Sequence, residues 1–267
     1  MFVYTFWEPR TSIPYYLQMC METWKKYLPN ATIVLLDYKN LRDFVDMRDI
    51  GLKLLSGRFS FSQFSDALRV ALLAKHGGVW IDIDTIILNS SAEKYFLPDE
   101  KHRTIFFADI ANKTCQTAFI NSSSGAMCMK LWLSCIRENV WNLTPTTSIN
   151  GNFMGKAFIS EYVQKYPDEM KLFDPKSVMP EIKNGVAATS FQDAYVDYYF
   201  KQNLHSADVN ADMLLLHNSW TPQIFKQWSD KEVLSCDCTM TNILAEALGI
   251  SLPPPQSRSR FGVEGKK

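Results

Sequence analysis

The chain has 267 residues, with 28 Lys and Arg against 28 Asp and Glu, so its formal net charge is zero. Hydrophobic residues make up 46% and charged residues 21%. That globular balance excludes a disordered or fibrous chain and gives no overall cationic excess for nucleic acid or a strongly anionic surface.

The length suits one or two domains, and α/β folds often reach it as one. Met1 to Trp7 carries no basic stretch ahead of an apolar one. No window approaches the roughly 18 apolar residues that a spanning helix needs. Cys20, Cys115, Cys128, Cys135, Cys236 and Cys238 are scattered, without zinc spacing, and fit a reducing compartment. N-x-S/T sequons at Asn30, Asn89, Asn112, Asn121 and Asn142 pull towards secretion, but read most simply as Ser/Thr-rich loops. The expectation is a cytoplasmic protein, with a secreted origin as the minor alternative.

Residues 2–7 read as a buried first strand stopped by Pro9. Residues 14–27 place Leu17, Cys20, Met21, Trp24 and Tyr27 at helical spacing, and Pro29-Asn30 ends that helix. Thr32 to Asp37 is an apolar run typical of a parallel strand covered on both faces. Strand, helix, strand at this spacing predicts a βαβ unit, hence an α/β fold with a mostly parallel, Rossmann-like sheet flanked by helices. Residues 60–75 predict a helix with Phe61, Phe64, Leu68, Ala71 and Leu72 on one face, stopped by Gly77-Gly78. Residues 79–88 read as one strand, and 104–110 and 117–121 as two more. Helices are expected over 124–140, 151–166 and 191–204, and a late strand or buried segment over 213–217. Residues 1–252 form a single domain on this reading. Residues 253–267, Pro-rich and then basic, read as a disordered tail.

The strongest chemical signal is Ser65-Asp66-Ala67-Leu68-Arg69 followed by Gly77-Gly78-Val79-Trp80-Ile81-Asp82-Ile83-Asp84. In an extended strand Asp82 and Asp84 share a face with Cα atoms about 6.6–7 Å apart. Two unpaired carboxylates there would repel and lose solvation, and a divalent cation removes that cost. Oxygen ligands favour Mg²⁺ or Mn²⁺, especially beside a diphosphate. The plainer reading is a strand end in water, against which the apolar flanks argue. Asp66 and Arg69, at i and i+3, share a helix face. They are either a surface ion pair or a clamp for sugar hydroxyls.

The stretch from Phe64 to Leu88 (FSDALRVALLAKHGGVWIDIDTIIL) resembles the core motif of the DxD glycosyltransferases of family 32 and their relatives among capsular polysaccharide synthesis proteins. That motif runs S-D-x-x-R, a helix, G-G, then an aromatic-containing strand ending in D-x-D. Residues 13–36, residues 118–135 and His217-Asn218-Ser219-Trp220 resemble the flanking segments, so the likeness covers most of residues 2–220. The start departs from the pattern: family members often begin I-P-K-I-I-H, whereas this chain has Phe2-Val3-Tyr4-Thr5-Phe6-Trp7.

The resemblance implies a GT-A fold, a nucleotide-sugar donor and Mn²⁺ or Mg²⁺. Carried over by residue, Asp84 is a direct metal ligand, Asp82 touches the metal shell or the ribose, and His217 is a further ligand. Asp66 and Arg69 hold the donor sugar, and Thr5, Phe6 and Trp7 flank the base. Ser219 contacts a phosphate, and Trp220 donates to the leaving-group oxygen through its indole N–H. Asp66, Arg69, Asp82, Asp84 and Trp220 form the implied catalytic set. The implied reaction moves a hexose or N-acetylhexosamine from a nucleotide sugar, with UDP the first choice, to a glycan or lipid-linked glycan with retention. Its setting would be capsule or cell-surface polysaccharide synthesis at the cytoplasmic face, with peripheral membrane contact left open and no nucleic-acid partner. No second carboxylate stands out as a nucleophile, which favours front-face substitution, and Asp109 is the next carboxylate along the chain. Asn121, Ser122, Ser123, Ser124 and Gly125 either line the acceptor side or form a plain polar turn.

Two other classes stay open. Phosphohydrolases of the haloacid dehalogenase type also place D-x-D after an apolar strand, but with Thr two residues beyond the second Asp. Here Thr85 follows Asp84 directly. A non-catalytic sugar-binding relative is the other.

Overall fold

The computed structural model describes residues 1–109, 114–178 and 190–261, so Ile110, the sequon at Asn112 and the last six residues of the expected tail lie outside the described residues. In chain order the strands are β1 (Phe2–Phe6), β2 (Thr32–Leu36), β3 (Gly78–Ile81), β4 (Thr85–Ile87), β5 (Thr104–Asp109), β6 (Thr114–Ser122), β7 (Met170–Phe173), β8 (Met213–Leu215), β9 (Cys236–Asp237) and β10 (Ser259–Arg260). The chain gathers into two compact units. The first comprises Met1–Thr11, Asn30–Asp82 and Tyr95–Pro175, and the second comprises Ser12–Pro29, Ile83–Lys94 and Lys176–Lys267.

The first unit is built on a six-stranded sheet in the order β2-β1-β3-β6-β5-β7. β1 runs parallel to β2 and β3, and β5 runs parallel to β7. Only β6 is reversed against its neighbours. The α/β, mostly parallel architecture expected from the sequence is therefore present. Tyr4, Trp80, Phe106 and Ile120 pack into one buried cluster with Leu68 and Leu72 of the Phe61–His76 helix and Trp132 and Ile136 of the Met127–Trp141 helix. Phe107 and Phe119, from neighbouring strands, stack with Tyr95, Phe96 and Phe173.

The helix that carries Asp66 and Arg69 is pinned at both ends. The Ser60 hydroxyl accepts from the Gln63 N–H, and the Gln63 side chain accepts from the Ser60 N–H, a capping box. At the other end Gly77 sits at φ +67, where a Cβ would stand 2.4 Å from the Ser124 backbone nitrogen. Gly78 sits at φ +100, with a Cβ position 2.8 Å from the Phe2 carbonyl oxygen. Only glycine meets both demands. The turn sends the helix directly into β3, which ends at the residue before Asp82.

The 79–88 run is not one strand. The Asp82 N–H still bonds the Ala118 carbonyl at 2.8 Å, but the chain turns at Ile83-Asp84. Thr85–Ile87 then pairs antiparallel with β8 in a separate two-stranded sheet. An apolar run reports burial, not straightness, and Asp is a poor strand residue that turns accept. Asp82 and Asp84 therefore do not share the face of one extended strand.

In the second unit Trp24 is fully buried on the Tyr15–Tyr27 helix, and its Nε1 donates to the Thr85 carbonyl at 2.7 Å. Thr23 Oγ1 accepts from the Ile87 N–H at 2.9 Å. The expected 191–204 helix is α-helical over Phe191–Val196 and then widens to a π-turn over Asp197–Lys201, where the Gln202 N–H reaches back to the Asp197 carbonyl. Part of the expected tail is folded back: β10 pairs in parallel with β9. The Arg258 side chain, 4% exposed, pairs with Asp237 at 3.0 Å and donates to Cys236 O and Asn242 Oδ1. One buried guanidinium anchors a segment whose composition alone suggests nothing to bury. No helix among the described residues is long and apolar enough to cross a membrane.

Candidate functional site

Arg69 organises the first unit's share of the predicted residues. Its side chain is 5% exposed, with NH2 3.1 Å from Asp66 Oδ1 and 3.2 Å from Asp82 Oδ1. It also donates to the Thr117 carbonyl and to Ser65 Oγ, and its guanidinium lies 5.0 Å from the Trp80 ring centroid. The Trp80 indole N–H donates to Asp82 Oδ1 at 2.9 Å. The Asp66 and Asp82 side chains remain 31% and 34% exposed. One buried cation thus holds two carboxylates that still present oxygen to solvent. Burial raises the Asp66 carboxyl above its ordinary value; Arg69 opposes that shift and the charge of Asp82 adds to it. The structure corrects the expectation of an uncompensated Asp82, because Arg69 already supplies its counter-charge.

At the end of β1, Thr5 and Phe6 are buried and Trp7 is partly exposed. Phe6 belongs to the core, its ring 5.4 Å from Phe64 and 5.8 Å from Tyr38. Thr5 Oγ1 and Trp7 Nε1 are buried with no hydrogen-bond partner. Tyr38 is an aromatic that sequence reasoning missed, and Phe61, expected on the helix face with Phe64 and Leu68, stands out of the core instead. They are 48% and 57% exposed, with Tyr38 5.3 Å from Phe64 and 6.5 Å from Phe61. The available signal was position: Tyr38 follows the carboxyl end of β2, where α/β sheets bind ligands.

In the second unit Asp84 is 7% exposed and accepts from the Asn218 backbone N–H. The Tyr16 hydroxyl donates to Asn218 Oδ1. The His217 and Trp220 rings lie 4.0 Å apart, and Tyr195 stands edge-on to both at 6.0 and 5.8 Å. Ser219 is exposed. Burial pushes the Tyr16 and Tyr195 hydroxyls up, and the charge of Asp84 adds to the rise in each. Burial pulls the Lys226 ammonium down, and Asp84 partly restores it. The unit thus holds Asp84, His217 and Trp220, with Tyr16, Tyr195, Asn218 and Lys226 as unforeseen neighbours. Asn218 alone had a signal, its place inside the H-N-S-W element.

Among the described residues no group of three or more His, Cys, Asp or Glu side chains gathers as a metal site. Asp84 is nonetheless the kind of hard oxygen donor that Mg²⁺ and Mn²⁺ take, so its chemistry fits such a cation. Asp109 closes β5 opposite Thr114 and is half-buried. The stretch Asn121 to Gly125 is structural. Asn121 Nδ2 donates to the Tyr95 and Leu97 carbonyls, the Ser124 hydroxyl donates to Lys75 O, and the Gly125 N–H donates to Ala74 O. These bonds commit the Asn121 amide nitrogen and the Ser124 hydroxyl to the fold.

The described fold is that of a glycosyltransferase. A glycosyltransferase involved in the glycosylation of the major capsid of PBCV-1 matches over 85% of this chain and 97% of its own, at 12% identity and TM-score 0.50. The galactosyltransferase LgtC, solved with donor and acceptor sugar analogues, matches over 96% and 98% at 11% identity and TM-score 0.47. GlyE of Streptococcus pneumoniae matches over 98% of this chain and 65% of its own, at 10% identity and TM-score 0.47. Of these three only the first reaches 0.50, and at such identity it speaks for the fold alone. A comparison with curated proteins gives no match. The family described as capsular polysaccharide synthesis protein matches residues 3–206, and the chain belongs to it.

Proposed function

We propose that the protein is a metal-dependent glycosyltransferase that moves a hexose or N-acetylhexosamine from a UDP-sugar or similar donor to a glycan acceptor during capsular polysaccharide synthesis. The supporting observation is the buried Arg69 that holds Asp66 and Asp82 with oxygens still open. Carboxylates fixed in this way accept from sugar hydroxyls without first being ordered, and charge-assisted bonds of this kind are strong.

Other groups of the first unit suit the base. Tyr38, Phe61 and Trp7 offer aromatic surface, and the orphaned Thr5 Oγ1 and Trp7 Nε1 offer a hydrogen-bonding edge. In the second unit, Asp84 with His217 nearby would hold Mn²⁺ or Mg²⁺, which would compensate the charge of the leaving diphosphate. The Trp220 indole N–H would donate to the leaving oxygen and Ser219 to a phosphate, stabilising charge that develops in the transition state. No carboxylate stands out in the sequence as a nucleophile, Asp109 being the next along the chain, so the acceptor hydroxyl attacks from the face the diphosphate leaves and configuration is retained. The catalytic region is residues 1–252. The acceptor is a glycan, free or lipid-linked, and the setting is the cytoplasmic face.

The test is hydrolysis of a panel of nucleotide sugars with Mn²⁺. One donor should be turned over, and Asp84→Asn should lose about 100-fold or more of that turnover with the melting temperature retained. No turnover across the panel, or equal turnover by Asp84→Asn, overturns the reading.

A further inference from the structure

The first unit carries a surface feature that the donor chemistry does not use. A cleft of about 670 Å³ is lined by Arg48, Leu52, Lys53, Arg137 and Trp141, with Asp49 the carboxylate in its wall. Three large apolar side chains stand out of the fold here. Leu52 and Leu55, on the turn Leu52–Leu55, are 60% and 54% exposed, and Trp141, at the end of the Met127–Trp141 helix, is 81% exposed. Exposed apolar side chains scattered singly need no explanation, but a group beside a cleft does.

The cations around it have unusual partners. Lys53 Nζ donates to the Trp141 and Leu143 carbonyls, and Arg58 donates to the Thr144 and Thr147 carbonyls. Arg137 donates to the Asp49 carbonyl. Carbonyl dipoles orient these groups without cancelling their charge. Arg48 differs, because Asp46 pairs with it. Lys53, Arg58 and Arg137 thus stand near exposed Leu and Trp side chains with no ion pair among the described residues, and Asp49 is the one carboxylate in the cleft wall, although the chain as a whole is neutral.

We propose that this face docks the protein on an anionic phospholipid bilayer. Trp141, Leu52 and Leu55 would enter the interfacial layer, where Trp is favoured and apolar area is buried. Lys53, Arg58 and Arg137 would meet lipid phosphates, with their aliphatic stems along the apolar surface. The proposal stands apart from the transferase reading, and its test does not use turnover.

The full chain is sedimented with vesicles of phosphatidylcholine alone and of phosphatidylcholine with phosphatidylglycerol. It should pellet with the anionic vesicles and not the neutral ones, and salt should release it. The double variant Leu52→Ser, Trp141→Ser should lose most of that binding with an unchanged thermal melt, since both side chains are exposed. Arg137→Gln should weaken binding about five-fold, the effect of one cation near an anionic surface. A chain that stays in the supernatant overturns the proposal, as does binding that the double variant retains. A dimer that the same double variant converts to monomer also overturns it, because a second copy would then be the occupant.

Discussion

Asp82 and Asp84 stand one residue apart and are embedded in different chemistry. In the first unit, Asp82 is a third exposed and bound by an indole N–H and by an arginine that it shares with Asp66. In the second, Asp84 is buried, accepts a backbone N–H, and lies among tyrosine hydroxyls and a His–Trp stack. A guanidinium fixes position and cancels charge. A backbone amide fixes position, and the charge of Asp84 acts on its neighbours, adding to the rise of the Tyr16 and Tyr195 hydroxyls and supporting the Lys226 ammonium. The spacing D-x-D therefore joins two carboxylates in unlike surroundings, one paired with a guanidinium and partly exposed, the other buried among tyrosines.

The comparison breaks if the two residues behave alike towards the metal. Asp84→Asn should raise the Mn²⁺ concentration needed for half-activation and cost about 100–1000-fold in turnover, as removal of a charge-stabilising group does. Asp82→Asn should leave the Mn²⁺ requirement unchanged and raise KM for the donor. Titrating Mn²⁺ and donor against each variant separates the cases. Equal Mn²⁺ shifts would restore the two aspartates to a single metal-binding couple.

Stability offers the next contrast. Arg69→Met strips counter-charge from two carboxylates at once. Breaking a buried pair costs ~3–5 kcal/mol, and partial exposure of both acids reduces that to about 2–3 kcal/mol. Tyr16→Phe in the second unit removes one hydrogen bond to Asn218 and should cost about 1 kcal/mol. Denaturant unfolding of the two variants measures both. A larger loss for Tyr16→Phe would mean that the second cluster is the more tightly held.

Much of this was legible in the sequence, and what was not has physical causes. The Phe61–His76 helix and its Gly-Gly stop could be read because capping, periodicity and turn chemistry all agree there. The break after Asp82 could not, because Val79, Trp80, Ile81, Ile83, Ile86, Ile87 and Leu88 read as one apolar run around the two aspartates, and a buried strand looks the same whether it continues or turns into a second sheet. Asp66 and Arg69 could be placed on one face from their spacing. That Arg69 would be buried and would also reach Asp82 depended on the register of β3 against β6, a long-range pairing. Tyr16 pairs with a residue 202 positions away, beyond the reach of any local pattern.

The smallest effect decides a competition inside the first cluster. Burial raises the Asp66 carboxyl above its ordinary value of 3.8, and Arg69 pulls the other way. If burial wins, the folded state holds the proton more tightly than the unfolded chain does. Ionising Asp66 then costs stability. That cost is absent below 3.8, where both states are protonated. It accumulates as pH rises from 3.8 to the raised value, and is constant above it. Asp66→Asn escapes the cost, so its stability relative to the native chain should climb with pH across that window and then level off. Thermal melts of both proteins at a series of pH values measure this difference. Donor affinity should also fall on the acid side at a higher pH than an ordinary aspartate would give, because the protonated carboxyl loses an acceptor for the sugar hydroxyls. The opposite slope, with the native chain gaining on Asp66→Asn as pH rises, would show that Arg69 outweighs burial at Asp66.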